Sequence, residues 1–277
     1  MTLGALAVTS EKHRRTAGVP LGHAIEMPFD GVLGPETDTV EHVRAYLDNH
    51  STEPGKPAAI IVETVQAEGG VNPADFGWLQ RLDALAKATG ILLIIDDIQA
   101  GCGRTGPFFS FEPAGIKPDL ICLSKAISGF GLACALVLIR PEHDVWLPGE
   151  HNCTFRGNNL AFVTGTAAIQ NYWRDDGLET AVMKKGCTAR DRLTAIANQY
   201  KDACGPVRER GLIWGLPFTD PDTARNVSRA AFERGLLIET AGPLNEGVKL
   251  LPPLTIEDQE LAAGLDIIED SVEAVLS

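Results

Sequence analysis

Three apolar runs constrain this chain more than any other feature, because each ends at a group able to do chemistry. AAIIVE (58–63) ends in Glu63, ILLIID (91–96) ends in Asp96, and DLICLSK (119–125) ends in Lys125. Consecutive apolar residues bury both faces of a strand, as in a sheet covered on both sides. Between the first two runs, DFGWLQRLDALAKATG (75–90) spaces Phe76, Leu79, Leu82 and Leu85 as one face of a helix. Asp75 is placed to cap its start and Gly90 to stop it. Strand, helix, strand is the unit that builds parallel sheets, so the predicted fold class is α/β: a mainly parallel sheet sandwiched by helices. CALVLIR (134–140) supplies one more strand. The longest apolar stretch, 129–139, falls short of the roughly 20 residues that span a bilayer and is read as a buried strand.

The pattern changes after about residue 158. Long helices are predicted over 158–173 and 178–200. Short strands (212–217, 236–239, 248–251) then mix with helices (222–234, 257–275). This describes a smaller C-terminal α+β domain, with the boundary expected near Gly186: residues 1–185 for the large domain and 186–277 for the small one. A formal net charge of −13 argues against nucleic acid or an anionic membrane as partner. The opening MTLGALAVTSEKHRR puts its charges after its apolar part, the reverse of a secretory signal, which predicts a cytoplasmic protein. Six cysteines without a CxxC pair predict no metal site.

In open α/β sheets, ligands bind at the carboxyl ends of the strands. An acid and a lysine 29 residues apart therefore have a route to one pocket. That pair is what pyridoxal phosphate requires: a lysine to form the Schiff base and a carboxylate to keep the pyridine nitrogen protonated. Lys125 fits the first role and Asp96 the second. Ile98, on the same side as Asp96, is placed to pack under the ring, and Gln99 to reach the ring oxygen. Alone, each has an ordinary explanation: a turn cap, a surface lysine, a core isoleucine, a loop amide. Only the joint arrangement carries the reading. GCGRTG (101–106) matches a dinucleotide fingerprint, but PFFSFEP follows it and cannot open the required helix.

Three segments, VETVQAEGGVNP (62–73), LLIIDDIQAGCGRTGPFFSFEPAGIKPDLICLSKAISGFGL (92–132) and GEHNCTFRGNNLAF (149–162), resemble the class III aminotransferases, which include enzymes of the ornithine and 4-aminobutyrate types. DDIQAGCGRTG (96–106), PGEHNCTFRGNNLAFVT (148–164) and KLLPPLTI (249–256) resemble its diaminobutyrate-forming branch. The resemblance implies a fold-type I enzyme with pyridoxal 5'-phosphate as cofactor. The implied reaction transfers an amino group from glutamate to aspartate 4-semialdehyde, a small-molecule donor and aldehyde acceptor. An ornithine- or 4-aminobutyrate-type specificity stays open. It further implies that Lys125 carries the cofactor and moves the substrate proton, that Asp96, Ile98 and Gln99 hold the ring, and that Thr154 reaches the phosphate of a neighbouring subunit. A homodimer or dimer of dimers with shared active sites follows. Glu68 resembles a gate glutamate paired with a cation near the C-terminus. Here that cation is Lys249 where many members have arginine, and a lysine cannot offer a two-pronged fork; Arg156 is another nearby cation. The family's phosphate loop and ring-stacking aromatic precede the segment that MTLGALAVTSEKHRR resembles. The expectation is therefore either a truncated record of an enzyme or a non-catalytic remnant of its fold.

Overall fold

The computed structural model describes residues 2–10, 21–49, 55–129 and 131–277. Met1 and residues 11–15 of the opening segment and Phe130 of the apolar stretch 129–139 lie outside the described residues. The elements run α1 (Leu3–Val8), α2 (Thr39–Asp48), β1 (Ala59–Glu63), β2 (Val65–Gln66), β3 (Asn72–Pro73), α3 (Phe76–Thr89), β4 (Leu92–Asp96), β5 (Leu120–Ser124) and β6 (Ala135–Ile139). They continue with α4 (Asn159–Tyr172), α5 (Gly177–Gln199), β7 (Arg208–Arg210), β8 (Ile213–Pro217), α6 (Pro221–Glu233), β9 (Glu239–Ala241), β10 (Gly247–Leu250) and α7 (Asp258–Leu276).

The first sheet has the order β1-β4-β5-β6. β1, β4 and β5 are parallel, while β6 runs antiparallel to β5. The α3 helix explains the parallel crossover. The Asp75 carboxylate accepts the Trp78 amide at 3.1 Å, and Gly90 closes the helix in the left-handed conformation at φ 64°. Between these caps Trp78, Leu79, Leu82 and Leu85 are buried, in one cluster with Leu93 and Ile95 of β4 and Val40, Val43 and Leu47 of α2. Burying a side chain of this size contributes about 2 kcal/mol, which holds the helix against the sheet. The Trp78 indole donates to the buried Thr39 hydroxyl at 2.8 Å, so its polar atom is satisfied inside the core.

The reading of 129–139 as a buried strand needs correction. The strand is confined to Ala135–Ile139, and Val137 is 53% exposed and Leu138 40% exposed. Among the described residues it is an edge strand paired with β5 alone, and these side chains stay open to solvent. Ile61 of β1, on the opposite edge, is 41% exposed.

The second sheet, β7-β8-β10-β9, is wholly antiparallel and packs with α5, α6 and α7 around Trp214, Leu216, Leu193, Val227, Val248, Leu265 and Ile268. Helices on an antiparallel sheet match the expected α+β arrangement. Leu178 and Val182 already pack into this cluster, and Gly186 falls inside α5. The strand expected at 236–239 is instead Glu239–Ala241. Leu236 and Ile238 pack on the core as a connection, with the Leu236 amide bonded to the Ala231 carbonyl at the end of α6 and the Ile238 carbonyl taken by Ser228.

Candidate active site

The parallel register decides which side chains meet. Glu63 pairs with Asp96 across β1 and β4, and Asp96 pairs with Cys122 across β4 and β5. Lys125 therefore lies three residues beyond the partner of Asp96, roughly 10 Å up the strand direction, at about 3.3 Å per residue. The chain turns there into a short helical turn, Lys125–Ser128, and Lys125 takes φ 53°. A left-handed backbone is costly for a residue with a Cβ and persists where the surroundings enforce it. Two close approaches do so. A Cβ on Gly165 of α4 would lie 2.6 Å from the Ile127 carbonyl oxygen, and one on Gly129 would lie 2.5 Å from the Ala168 Cβ. Both positions must be glycine for α4 to brace the lysine turn. Ser124 adds a hydroxyl bond to the Cys134 carbonyl at 2.7 Å, which ties the turn to β6.

Asp96 is half-buried, and its carboxylate accepts the Ile98 amide at 3.1 Å. Burial raises its pKa; the Ile98 amide and Lys125 oppose the rise. Burial likewise depresses the Lys125 ammonium pKa, against the pull of Glu68, Glu63 and Asp96 and with help from Lys249. The next acid, Asp97, is buried and faces the other way. It accepts both the amide and the hydroxyl of Ser110, and that hydroxyl also contacts Thr64 at 2.5 Å. Burial pushes Asp97 up to about 6.

Glu68 sits between β2 and β3 and gathers the remaining expected residues. Lys249 Nζ donates to its Oε1 at 2.6 Å, and Gln99 Nε2 donates to the same oxygen at 3.2 Å. Burial works against the Glu68 charge, but the Lys249 and Gln99 bonds outweigh it and hold the carboxyl below its ordinary range. The Lys249 side chain is 1% exposed and also lies 3.4 Å from Glu239. The structure thus brings Asp96, Lys125, Glu68, Gln99 and Lys249 into one electrostatic neighbourhood, with Ile98 half-buried beside Asp96. Thr154 takes part in none of these bonds and lies, with Arg156, in the exposed loop 151–157, where Arg156 bonds His151.

Sequence reasoning missed the residues that carry the second unit to the first. Arg210 donates to the Thr64 and Ala74 carbonyls and stacks on Phe76 at 4.5 Å. Arg208 donates to the Gly70 carbonyl at 3.2 Å and to the Asn72 side chain at 2.7 Å. The Gly242 amide bonds the Glu68 carbonyl at 2.9 Å. These contacts clamp the β2–β3 ribbon, and hence Glu68, against Lys249. The GCGRTG loop has a similar part. It opens no helix, and Arg104 from it donates to the Leu212 and Pro252 carbonyls at 2.9 and 2.6 Å. A short arginine pair flanking a glycine, RERG (208–211), was the available signal, but its targets lie more than 130 residues away in sequence.

The residues fit a pyridine ring. Asp96 is a desolvated carboxylate suited to a pyridinium N–H, and beside it the Gln99 Oε1 is a buried acceptor with no hydrogen-bond partner among the described residues. Among the described residues no group of three or more His, Cys, Asp or Glu is arranged to hold a metal, and no helix is long and apolar enough to cross a membrane.

A strand-end lysine and a strand-end acid share this end of the sheet beside the ion-paired Glu68. Residues 1–272 match the family Aminotransferase class-III, and the chain belongs to that family. It is 54% identical over 276 residues to the diaminobutyrate–2-oxoglutarate transaminase of Bordetella parapertussis, covering 99% of this chain and 63% of that protein. It is 47% identical to the enzyme of the same name from Virgibacillus pantothenticus, covering 100% of this chain and 66% of that one. The chain thus spans about two thirds, or slightly less, of the relatives it matches. Among solved structures, the ornithine aminotransferase of Toxoplasma gondii, described with partial occupancy of pyridoxal phosphate at its active site, superposes with a TM-score of 0.86 at 27% identity. That match covers 99% of this chain and 62% of the other. A Bacillus anthracis aminotransferase shares the fold, with a TM-score of 0.89, over 99% of this chain and 66% of its own.

Proposed function

We propose that this chain holds pyridoxal phosphate through Lys125 and Asp96 and forms part of an enzyme that moves an amino group from glutamate to aspartate 4-semialdehyde, giving 2,4-diaminobutyrate and 2-oxoglutarate. The observation that carries this reading is that Asp96, Lys125 and the Glu68–Lys249 pair come together beside the carboxyl ends of the parallel strands β4 and β5. The similarity to diaminobutyrate transaminases supports the choice of substrate.

When bound, the cofactor supplies an electron sink for the carbon that carries the amino group. The protein residues do the rest. Asp96 would keep the ring nitrogen protonated through its carboxylate, and Ile98 and Gln99 would hold the ring, Ile98 by packing and Gln99 at its oxygen. Lys125 Nζ, favoured in its neutral form by burial, takes up and returns the proton on the substrate carbon bearing nitrogen. Lys249, enclosed, meets either Glu68 or a substrate carboxylate, and Glu68 swings between Lys249 and the amino end of a diamine. Thr154 reaches the phosphate of a second copy, which makes the working unit a homodimer with shared sites or a dimer of such dimers. We place the reaction in ectoine biosynthesis in the cytoplasm.

Exposed apolar side chains support a partnered chain. Much of the exposed apolar part is on α4 and the loop before it, with Leu160 70%, Val163 68% and Phe155 94% exposed. The test is to add pyridoxal phosphate to the purified chain and record its visible spectrum. A band distinct from the free cofactor, lost in Lys125→Ala, is expected. A wild-type spectrum identical to that of the free cofactor overturns the reading.

A further inference from the structure

We propose that Glu63 is a further member of the cofactor-binding set, a positioning residue that acts through Asp96 by setting how much negative charge lies beneath the ring nitrogen. The proposal rests on the reading of Lys125 and Asp96 given above. Glu63 and Asp96 are register partners on adjacent parallel strands. Partners in a parallel pair project to the same face of the sheet, so the two carboxyls stand side by side where the strands end. Glu63 is half-buried, and the Ala67 amide donates to its carboxyl. The groups around it are Asp96 from β4, Glu68 from the β2–β3 ribbon and Lys125 from the turn after β5. Arg210 of β7 spends its guanidinium on the neighbouring carbonyls of Thr64 and Ala74.

Two carboxylates at this spacing in a desolvated place cannot both ionise freely. Burial, then the Asp96 charge, pushes Glu63 up to about 7; the Ala67 amide and Lys125 resist, and Glu68 adds to the rise. Asp96 therefore ionises first, and Glu63 keeps its proton through the acid side of neutrality. While Glu63 is protonated, the sheet presents the ring nitrogen with one carboxylate charge. Once Glu63 loses its proton to solvent, a second charge stands beside Asp96 and raises the proton affinity of every basic group nearby, Lys125 included. The plainer role for Glu63, capping the turn to Ala67, accounts for its backbone bond but predicts no such pH response.

The test has two arms on the 277-residue chain. Without cofactor, ¹³C carboxyl NMR of glutamate-labelled protein follows Glu63, assigned by the signal lost in Glu63→Gln. A midpoint at about 7 is expected, and one in the ordinary glutamate range, about 4.3, overturns the proposal. With pyridoxal phosphate, the visible band of wild type and Glu63→Gln is titrated between about pH 5 and 9. The midpoint should fall by about one pH unit in the variant, the size expected for removing one charge at this range, while Glu63→Asp restores it. Coincident curves in wild type and Glu63→Gln overturn the proposal and leave the cofactor reading intact. A wild-type chain with no Lys125-dependent band overturns both.

Discussion

Arg104 offers the sharpest energetic test of how this site is assembled. Its guanidinium leaves the GCGRTG loop and donates to Leu212 and Pro252, so one side chain fastens the loop after Asp96 to the segments flanking β8 and β10. Burial lowers its pKa to about 10, which leaves it charged at neutral pH. A hydrogen bond from a charged donor contributes about 1.5–3 kcal/mol, and partial burial places the two here near the lower end. Arg104→Ala should therefore cost about 3 kcal/mol and leave two carbonyls without their donor. With an m-value of about 3 kcal/mol per molar urea for a chain of this size, the midpoint drops by about 1 M. Far-UV circular dichroism and tryptophan fluorescence measure it, the latter through Trp78 in one core and Trp214 in the other. Arg104→Lys keeps the charge but places a compact ammonium on a different stem, so about half the loss should return. A midpoint unmoved in Arg104→Ala refutes the idea that this arginine couples the two units.

Other outcomes follow from single contacts. Gly165→Ala drives a methyl group into the Ile127 carbonyl at 2.6 Å and should cost about 1–3 kcal/mol in thermal melts while weakening the Lys125-dependent band; an unchanged melt and band contradict the bracing of the lysine turn. Lys249→Met removes the cation that holds Glu68 down, so the Glu68 carboxyl midpoint should rise in an NMR titration, and a midpoint that stays put contradicts the pairing. Because Glu63 sits above its unfolded value, the folded chain retains a proton the unfolded chain releases. Its stability contribution is therefore intact below about pH 4.5 and lost as pH rises to about 7. Glu63→Gln should gain on wild type in urea melts between pH 5 and pH 8, by about 1–3 kcal/mol, and parallel pH curves contradict it.

Local chemistry was legible in the sequence. Asp75 and Gly90 cap their helix where the pattern puts them, and the four strands of the first sheet lie within a residue or two of the runs AAIIVE, ILLIID, DLICLS and CALVLIR, because caps and continuous apolarity act over short range. The covering of β6 was not legible. Apolar side chains announce that a face wants burial but not whether this chain supplies the layer. The strand near 239 was misplaced because Leu236 and Ile238 pack on the core without joining the sheet. Around the site, Glu63, Asp96 and Lys125 were visible as strand ends, but their closeness depends on parallel register. The Glu68–Lys249 contact spans 181 residues and came only through family likeness. Its supports, Arg208, Arg210 and Arg104, act through backbone carbonyls, which leave no trace in residue type.

The most direct test of the central claim is borohydride reduction of the chain mixed with pyridoxal phosphate, followed by peptide mass mapping. The account predicts one stoichiometric addition, on the peptide containing Lys125, greatly diminished in Asp96→Ala at limiting cofactor. Labelling spread over the exposed lysines, or centred on Lys249, would contradict it.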